Sequence, residues 1–167
     1  MNNPMVLLET TSGDILIELF PEKCPATVEN FLAYVDEEFY KGTIFHRVIR
    51  DFMIQGGGFG LRLEEKPVMR PAIANEAATG LSNKRGTIAM ARTEDPHSAT
   101  VQFFINTVDN PSLDFTEESH GYCAFGHVVE GMEVVDKIQK LKTKPQGIHE
   151  NVPTDSVLIT GVSRFEL

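Results

Sequence analysis

Apolar and polar positions alternate along residues 5–20, and this is the clearest periodic signal in the chain. Residues 5–10 predict one strand, Ser12-Gly13 a turn, and residues 14–20 its partner, where Ile15, Ile17 and Leu19 alternate with Asp14, Leu16 and Glu18. Successive side chains on a strand point to opposite faces, so a period of two buries one face of this hairpin. Beyond Phe20 the period lengthens: Val28, Phe31, Leu32 and Val35 recur at helical spacing, with Pro25 placed for the first turn and Lys41-Gly42 at the end. That is the pattern of an amphipathic helix packed against a core.

From Ile44 onwards the texture changes to short apolar runs punctuated by turns. Residues 44–50, 52–55, 86–91, 101–106 and 122–129 read as strands, separated by loops rich in Gly, Pro, Asn and Ser at 56–58, 93–99 and 110–121. A second helix is expected over 132–141, where Val134, Val135, Ile138 and Leu141 share a face. Gly147 and Pro153 then break the chain before a last strand at 156–164. So many strands with two helices predict a mainly β domain whose edges are hidden by closure, with the helices at the open ends. Periodicity favours a closed barrel over a sandwich without forcing that choice.

Composition narrows the function classes. A chain of 167 residues is expected to form a single domain spanning 1–167, and 41% hydrophobic with 23% charged residues excludes the signature of disorder. A net charge of −9 and a pI near 5.0 count against nucleic acid and anionic membranes as partners, since both require clustered Lys and Arg. Cys24 and Cys123 form no CxxC pair, so neither a disulfide framework nor a thiolate zinc site is indicated; a bridge between the two stays open. The N-terminal residues lack a basic n-region and an apolar signal core, and no apolar run has membrane-spanning length, so the cytoplasm is the expected location.

The chemistry concentrates in FHRVIRDFMIQGGGFG at 45–60, GTIAMAR at 86–92, QFFIN at 102–106 and GYCAFGHVVEGM at 121–132. Taken with the first hairpin and the helix after Pro25, these stretches resemble the cyclophilins over essentially the whole chain. Ala91-Arg92 and Tyr122 bring it nearest the bacterial cytoplasmic branch. The resemblance implies a closed eight-stranded antiparallel β-barrel with two flanking α-helices. It also implies peptidyl-prolyl cis/trans isomerase activity in protein folding, without cofactor or metal. Proline-containing segments of unfolded or flexible proteins would be the partners, and the protein would act as a monomer. Arg47, Gln55 and Gln102 take the catalytic positions. Phe52, Met53, Phe104 and Leu113 form the wall for the proline ring, while Ala91 and Arg92 border the preceding substrate residue, Arg92 through its backbone. Tyr122 stands where many members carry His, and Ser112 where many carry Trp. Ser112 cannot replace an indole, which counts against binding of cyclosporin, the family's cyclic-peptide inhibitor.

Prolyl isomerisation makes demands that these residue types meet. The obstacle is amide resonance, a rotational barrier of about 18–20 kcal/mol. In the twisted transition state that resonance is lost and the prolyl nitrogen becomes a hydrogen-bond acceptor. A guanidinium is permanently charged, presents rigidly held donors and helps only at that moment. Met53 with Gln55, and Gln102 with Phe104, are spaced to share strand faces. Phe52 and Met53 cannot share one in regular pleating, so a bend near Asp51 is implied.

Blander readings compete with each of these. An arbitrary strand arginine is a solvated surface charge, and Phe52, Met53 and Phe104 would be core residues on periodicity alone. His46 falls on the face opposite Arg47 and reads as structural. The five histidines show no metal-ligand spacing, Gly56 to Gly60 lacks a phosphate-loop pattern, and Asp95, His97 and Ser98 lack the setting of a hydrolase triad. The alternative to an enzyme is a non-catalytic proline-peptide-binding chaperone or scaffold of the same fold, which would not require Arg47, Gln55 and Gln102 together.

Overall fold

The computed structural model describes residues 2–166. Its chain order is β1 (Met5–Thr10), β2 (Gly13–Leu19), α1 (Pro25–Asp36), β3 (Arg47–Ile49), β4 (Met53–Gly56), β5 (Thr87–Met90), β6 (Phe103–Asn106), β7 (Ala124–Glu130), α2 (Met132–Gln139), β8 (Thr143–Gln146), β9 (His149–Pro153) and β10 (Ile159–Phe165). A 3-10 turn, Pro111–Leu113, precedes β7. Eight strands make one antiparallel sheet in the order β10-β1-β2-β7-β5-β6-β4-β3, and β8 pairs only with β9. The opening hairpin keeps the register its alternation predicts, with Val6 opposite Ile17 and Leu8 opposite Ile15, all four buried.

The sheet curls but does not close, which corrects the expectation of a closed barrel. No ladder joins the edge strands β3 and β10; a single bridge between Ile44 and Leu158 spans the gap. Ile44 itself bonds away from β10, its N–H donating to the Phe59 carbonyl at 2.9 Å and its carbonyl accepting from Gly57 at 3.4 Å. Toward β10 its neighbours make the contact, with the Phe45 N–H donating to the Val157 carbonyl at 3.2 Å, the Ile159 N–H to the Thr43 carbonyl at 2.7 Å and the Gly42 N–H to the Ile159 carbonyl at 2.9 Å. Among the described residues the pairing stops there. Gly57 has φ +94°, and a Cβ on Gly56 would lie 2.6 Å from the Ile44 carbonyl oxygen. Glycine alone permits that approach.

The concave interior is filled by both helices and by one face of most strands. Phe31 of α1 meets Phe103 edge to face at 5.9 Å and Phe125 at 5.2 Å, and Phe45 meets Phe103 at 6.0 Å. Such offset and T-shaped contacts suit the aromatic quadrupole. α1 ends at Asp36, before the Lys41-Gly42 end that spacing predicts. Glu38 adopts φ 57°, reversing the chain so that Phe39 and Tyr40 fold back into the core at 7% and 1% exposure. The β8–β9 hairpin has no counterpart in the sequence reading. It is polar, carries Pro145 and Pro153, and turns on Gly147 at φ +59°. None of the described helices is long and apolar enough to cross a membrane.

Candidate active site

The outer face of β3, β4 and β6 carries a row of polar side chains because the ladders put them opposite one another. Arg47 pairs with Gln55 across β3 and β4, and Gln55 pairs with Phe104 across β4 and β6. Residues so paired share a face and lie within side-chain reach. Arg47 Nη1 donates to Gln55 Oε1 at 3.0 Å, and Gln55 Nε2 donates to Gln102 Oε1 at 3.0 Å. Gln102 finds room because Gly58 faces it; a Cβ there would come within 2.6 Å of Gln102 Cγ. The row orients an exposed guanidinium from one side, leaving its other donors for a ligand.

The turn between β3 and β4 supplies the apolar wall. Asp51 sits at φ 60°, a left-handed conformation that Asp tolerates better than most non-glycine residues. Its N–H donates to Gln139 Oε1 of α2 at 3.0 Å, and the Phe52 N–H donates to the Ile49 carbonyl at 3.1 Å. The bend implied near Asp51 is therefore a pinned hairpin turn. It delivers Phe52 beside Met53, the first residue of β4.

Arg47, Phe52, Met53, Gln55, Ala91, Arg92, Phe104, Leu113 and Tyr122 together line one open cavity of about 230 Å³. Met53 and Phe104 form its apolar floor and belong, with Ala89 and Ala124, to a buried cluster separate from the interior one. Tyr122 meets Phe104 edge to face at 5.7 Å, and the Arg92 guanidinium lies 4.4 Å over the Tyr122 ring. Arg92 also donates from Nε and Nη2 to the Gly121 carbonyl at 3.1 and 3.0 Å. Its side chain thus braces the rim. Ser112 is exposed and stands outside the lining.

Gln102 is the one selected residue that does not line this cavity. It faces a second cavity of about 220 Å³ with Glu65, Thr93, Ser98 and Thr100, which shares Gln55, Ala91 and Arg92 with the first. A third, also about 230 Å³, lies across Arg47 and is lined by His46, Ile148, His149, Glu150 and Asn151. Spacing did not point to these flanking residues, because Glu65 and residues 93–100 lie in loops and residues 148–151 in the β8–β9 hairpin, all outside the predicted strand pattern.

His46 turns inward beside outward Arg47, with 4% exposure and a buried Nδ1 that has no hydrogen-bond partner. Burial, followed by the proximity of His149 and Arg47, depresses its pKa to about 4. It is neutral at physiological pH. The triad-like residues are not arranged as a triad: the Ser98 hydroxyl donates to the Asp95 carbonyl at 2.6 Å, while His97 Nδ1 accepts from the Asn75 N–H at 3.0 Å. Cys24 and Cys123 are buried free thiols whose sulfurs lie 3.3 Å apart. Among the described residues, no three His, Cys, Asp or Glu side chains are grouped to hold a metal ion.

An apolar groove carrying one orientable guanidinium on a curled eight-stranded sheet has a counterpart among known proteins. Residues 5–164 match the family described as cyclophilin type peptidyl-prolyl cis-trans isomerase/CLD. The chain belongs to that family. This cyclophilin is 55% identical over 165 residues to peptidyl-prolyl cis-trans isomerase B of Escherichia coli, covering 97% of its own length and 100% of the relative's. A peptidyl-prolyl cis-trans isomerase of Acinetobacter baylyi is 52% identical over 160 residues, covering 96% and 85% of the two chains. Among solved structures, a cyclophilin type peptidyl-prolyl cis-trans isomerase from Cryptosporidium parvum superposes with a TM-score of 0.79 at 27% identity, covering 99% of each chain. The same Cryptosporidium protein, crystallised in the presence of the dipeptide Ala-Pro, gives 0.78 at 28% identity, covering 98% of this chain and 99% of that one. Peptidyl-prolyl cis-trans isomerisation is accordingly the activity of this cyclophilin.

Proposed function

We propose that the isomerisation takes place in the 230 Å³ cavity, with the proline ring against Phe52, Met53, Phe104 and Leu113, and with Arg47 donating to the prolyl nitrogen as the amide twists. The observation that carries this reading is the placement of the guanidinium, held by Gln55 at the lip of an apolar recess. Exposed in the free protein, Arg47 is screened by water; a bound peptide excludes that water and strengthens the charge-assisted bond when the nitrogen lone pair appears. Gln55 and Gln102 orient Arg47 and offer amide groups to the substrate backbone. Ala91 and Arg92 border the residue before proline, and since the Arg92 guanidinium is engaged at Gly121, its backbone is the part that serves.

Arg47 cannot supply the whole effect. Lowering an exchange time of about 100 s to about 10 ms requires roughly 10⁴-fold, or about 5–6 kcal/mol. A hydrogen bond to a charged group contributes about 1.5–3 kcal/mol. The remainder comes from binding the peptide partly twisted and from replacing water around the amide with fixed protein groups.

The substrates we infer are proline-containing segments of unfolded or flexible chains. The solved relative crystallised with Ala-Pro supports that class, and the net charge of −9 favours neutral or basic ones. The protein works as a single-domain monomer in the cytoplasm, where two unbridged cysteines are in keeping with a reducing medium. Ser112, lacking an indole, implies weak cyclosporin binding.

Exchange NMR on an Xaa-Pro peptide tests the mechanism. Arg47→Ala should lower the exchange rate at saturating protein by about 10- to 100-fold while the peptide dissociation constant moves little. Equal rates for the two proteins would leave a groove that binds proline peptides with catalysis assigned to the wrong residue.

A further inference from the structure

Three asparagines lie behind the groove without lining it. Asn83, Asn106 and Asn110 are 1%, 0% and 9% exposed. Asn106, the last residue of β6, donates from Nδ2 to Asn83 Oδ1 at 3.0 Å and to Thr87 Oγ1 at 2.9 Å, and its Oδ1 accepts from Asn110 Nδ2 at 2.8 Å. Asn110 Nδ2 also donates to the Phe52 carbonyl at 2.9 Å. Asn83 Nδ2 reaches the carbonyls of Tyr122 at 3.1 Å and Leu113 at 3.3 Å, and the Asp114 carboxylate at 3.0 Å.

The destinations of these bonds carry the inference. Phe52, Leu113 and Tyr122 come from three separate loop or turn segments, none of them within a strand of the sheet. Two ladder-like bonds already tie them locally, Thr107 N–H to the Phe52 carbonyl at 3.1 Å and Tyr122 N–H to the Leu113 carbonyl at 2.8 Å. The asparagine chain ties Phe52 on one side of the recess to Leu113 and Tyr122 on the other, and the Leu113 N–H donating to the Asn110 carbonyl at 3.0 Å joins the same chain through the backbone. Its anchor is the rigid strand β6, which also carries Phe104. A buried amide network has high stakes: each polar group left unpaired in a low-dielectric site is costly, so the chain holds one arrangement rather than several.

We infer that Asn106, with Asn83 and Asn110, positions the loop-borne half of the proline recess and so sets its width. These are positioning residues, since none of them lines the cavity. The inference rests on the assignment of that recess to the proline ring.

Asn106→Ala should raise KM, and the peptide dissociation constant read by NMR, by about tenfold, with kcat falling less, because binding contacts loosen while Arg47 and Gln55 stay in place. A merely structural role would lower thermal stability and leave KM alone. Val28→Ala, in the interior cluster on α1, provides that comparison: it should lower the melting temperature without moving KM when both are assayed well below their transitions. Asn110→Ala removes the link to the Phe52 carbonyl at a position closer to the surface, and should show the same split even where Asn106→Ala does not fold. Unchanged KM in a folded Asn106→Ala or Asn110→Ala protein would overturn the inference. Failure of the underlying assignment looks different, since Phe52→Ala and Leu113→Ala would then also leave KM unchanged.

Discussion

On β6, Phe103 and Ile105 point into the interior cluster while Phe104, between them, points out into the groove, and all three are at most 4% exposed. What separates the two faces is the company each side chain keeps. Phe103 packs edge-on to Phe31, Tyr40 and Phe45. Phe104 meets Tyr122 and lies opposite Gln55 across the ladder, on the floor of a recess that opens to solvent. The same alternation gives β4 an inward Ile54 and outward Met53 and Gln55. A curled sheet with its core on the concave side thus has a second apolar surface left on the convex side, and that surface has been used for binding.

The largest effect that would sharpen this contrast is Phe103→Ala. Emptying an interior aromatic site costs about 3–5 kcal/mol, visible as a lowered midpoint in urea unfolding. Phe104→Ala should cost less stability, because part of its surround is the open cavity, and should appear mainly as raised KM. A Phe104→Ala protein as unstable as Phe103→Ala with normal KM would erase the distinction between the faces.

His46 and Arg47 repeat the contrast at neighbouring positions, and pH separates them. The folded pKa of His46, about 4, lies below the ordinary 6.5 of imidazole. Between these values the unfolded chain binds the additional proton, so stability is complete above about pH 6.5 and is lost as pH falls toward about 4, by at most about 3 kcal/mol. His46→Phe should flatten this part of the stability profile relative to wild type. Matching slopes for the two proteins between pH 4 and 6.5 would remove His46 from the account.

The order of the polar row can be tested at the next level down. Gln55→Ala takes away both the acceptor for Arg47 and the donor to Gln102, and should lower kcat/KM by about tenfold. Gln102→Ala leaves Arg47 its partner and should cost about threefold, less than one hydrogen bond's upper range. If Gln102→Ala were the more damaging, its contact with the substrate backbone would outweigh its support of Arg47 through Gln55.

Every strand of the large sheet was legible in the sequence, as was the grouping of Arg47, Phe52, Met53 and Gln55, because a strand's period and a tight motif are both local. The barrel's closure was not, since it depends on how far the segment before β3 pairs with β10, and those backbone bonds stop at Gly42, Thr43 and Phe45. The β8–β9 hairpin was hidden by its polarity and its prolines. Asn106 ends an apolar run in QFFIN, where one amide gives no sign that it meets Asn83 and Asn110. Nor could periodicity separate Phe103 from Phe104: strands covered on both faces read as continuous apolar runs.

The smallest effect concerns the rim, where Tyr122 departs from the common histidine. A tyrosine hydroxyl can donate a hydrogen bond as an imidazole N–H does. In the structure it is the ring that is engaged, lying against Phe104 and beneath the Arg92 guanidinium at 4.4 Å. Arg92 in turn is fixed by the Gly121 carbonyl, so ring, guanidinium and backbone form one brace. A cation over an exposed aromatic ring contributes about 0.5–1 kcal/mol, and phenylalanine retains most of that attraction. Tyr122→Phe should therefore shift KM by no more than about twofold, whereas Arg92→Lys, which loses the planar fork at Gly121, should shift it further. A larger loss in Tyr122→Phe than in Arg92→Lys would return the role to the hydroxyl and make this rim a hydrogen-bonding one.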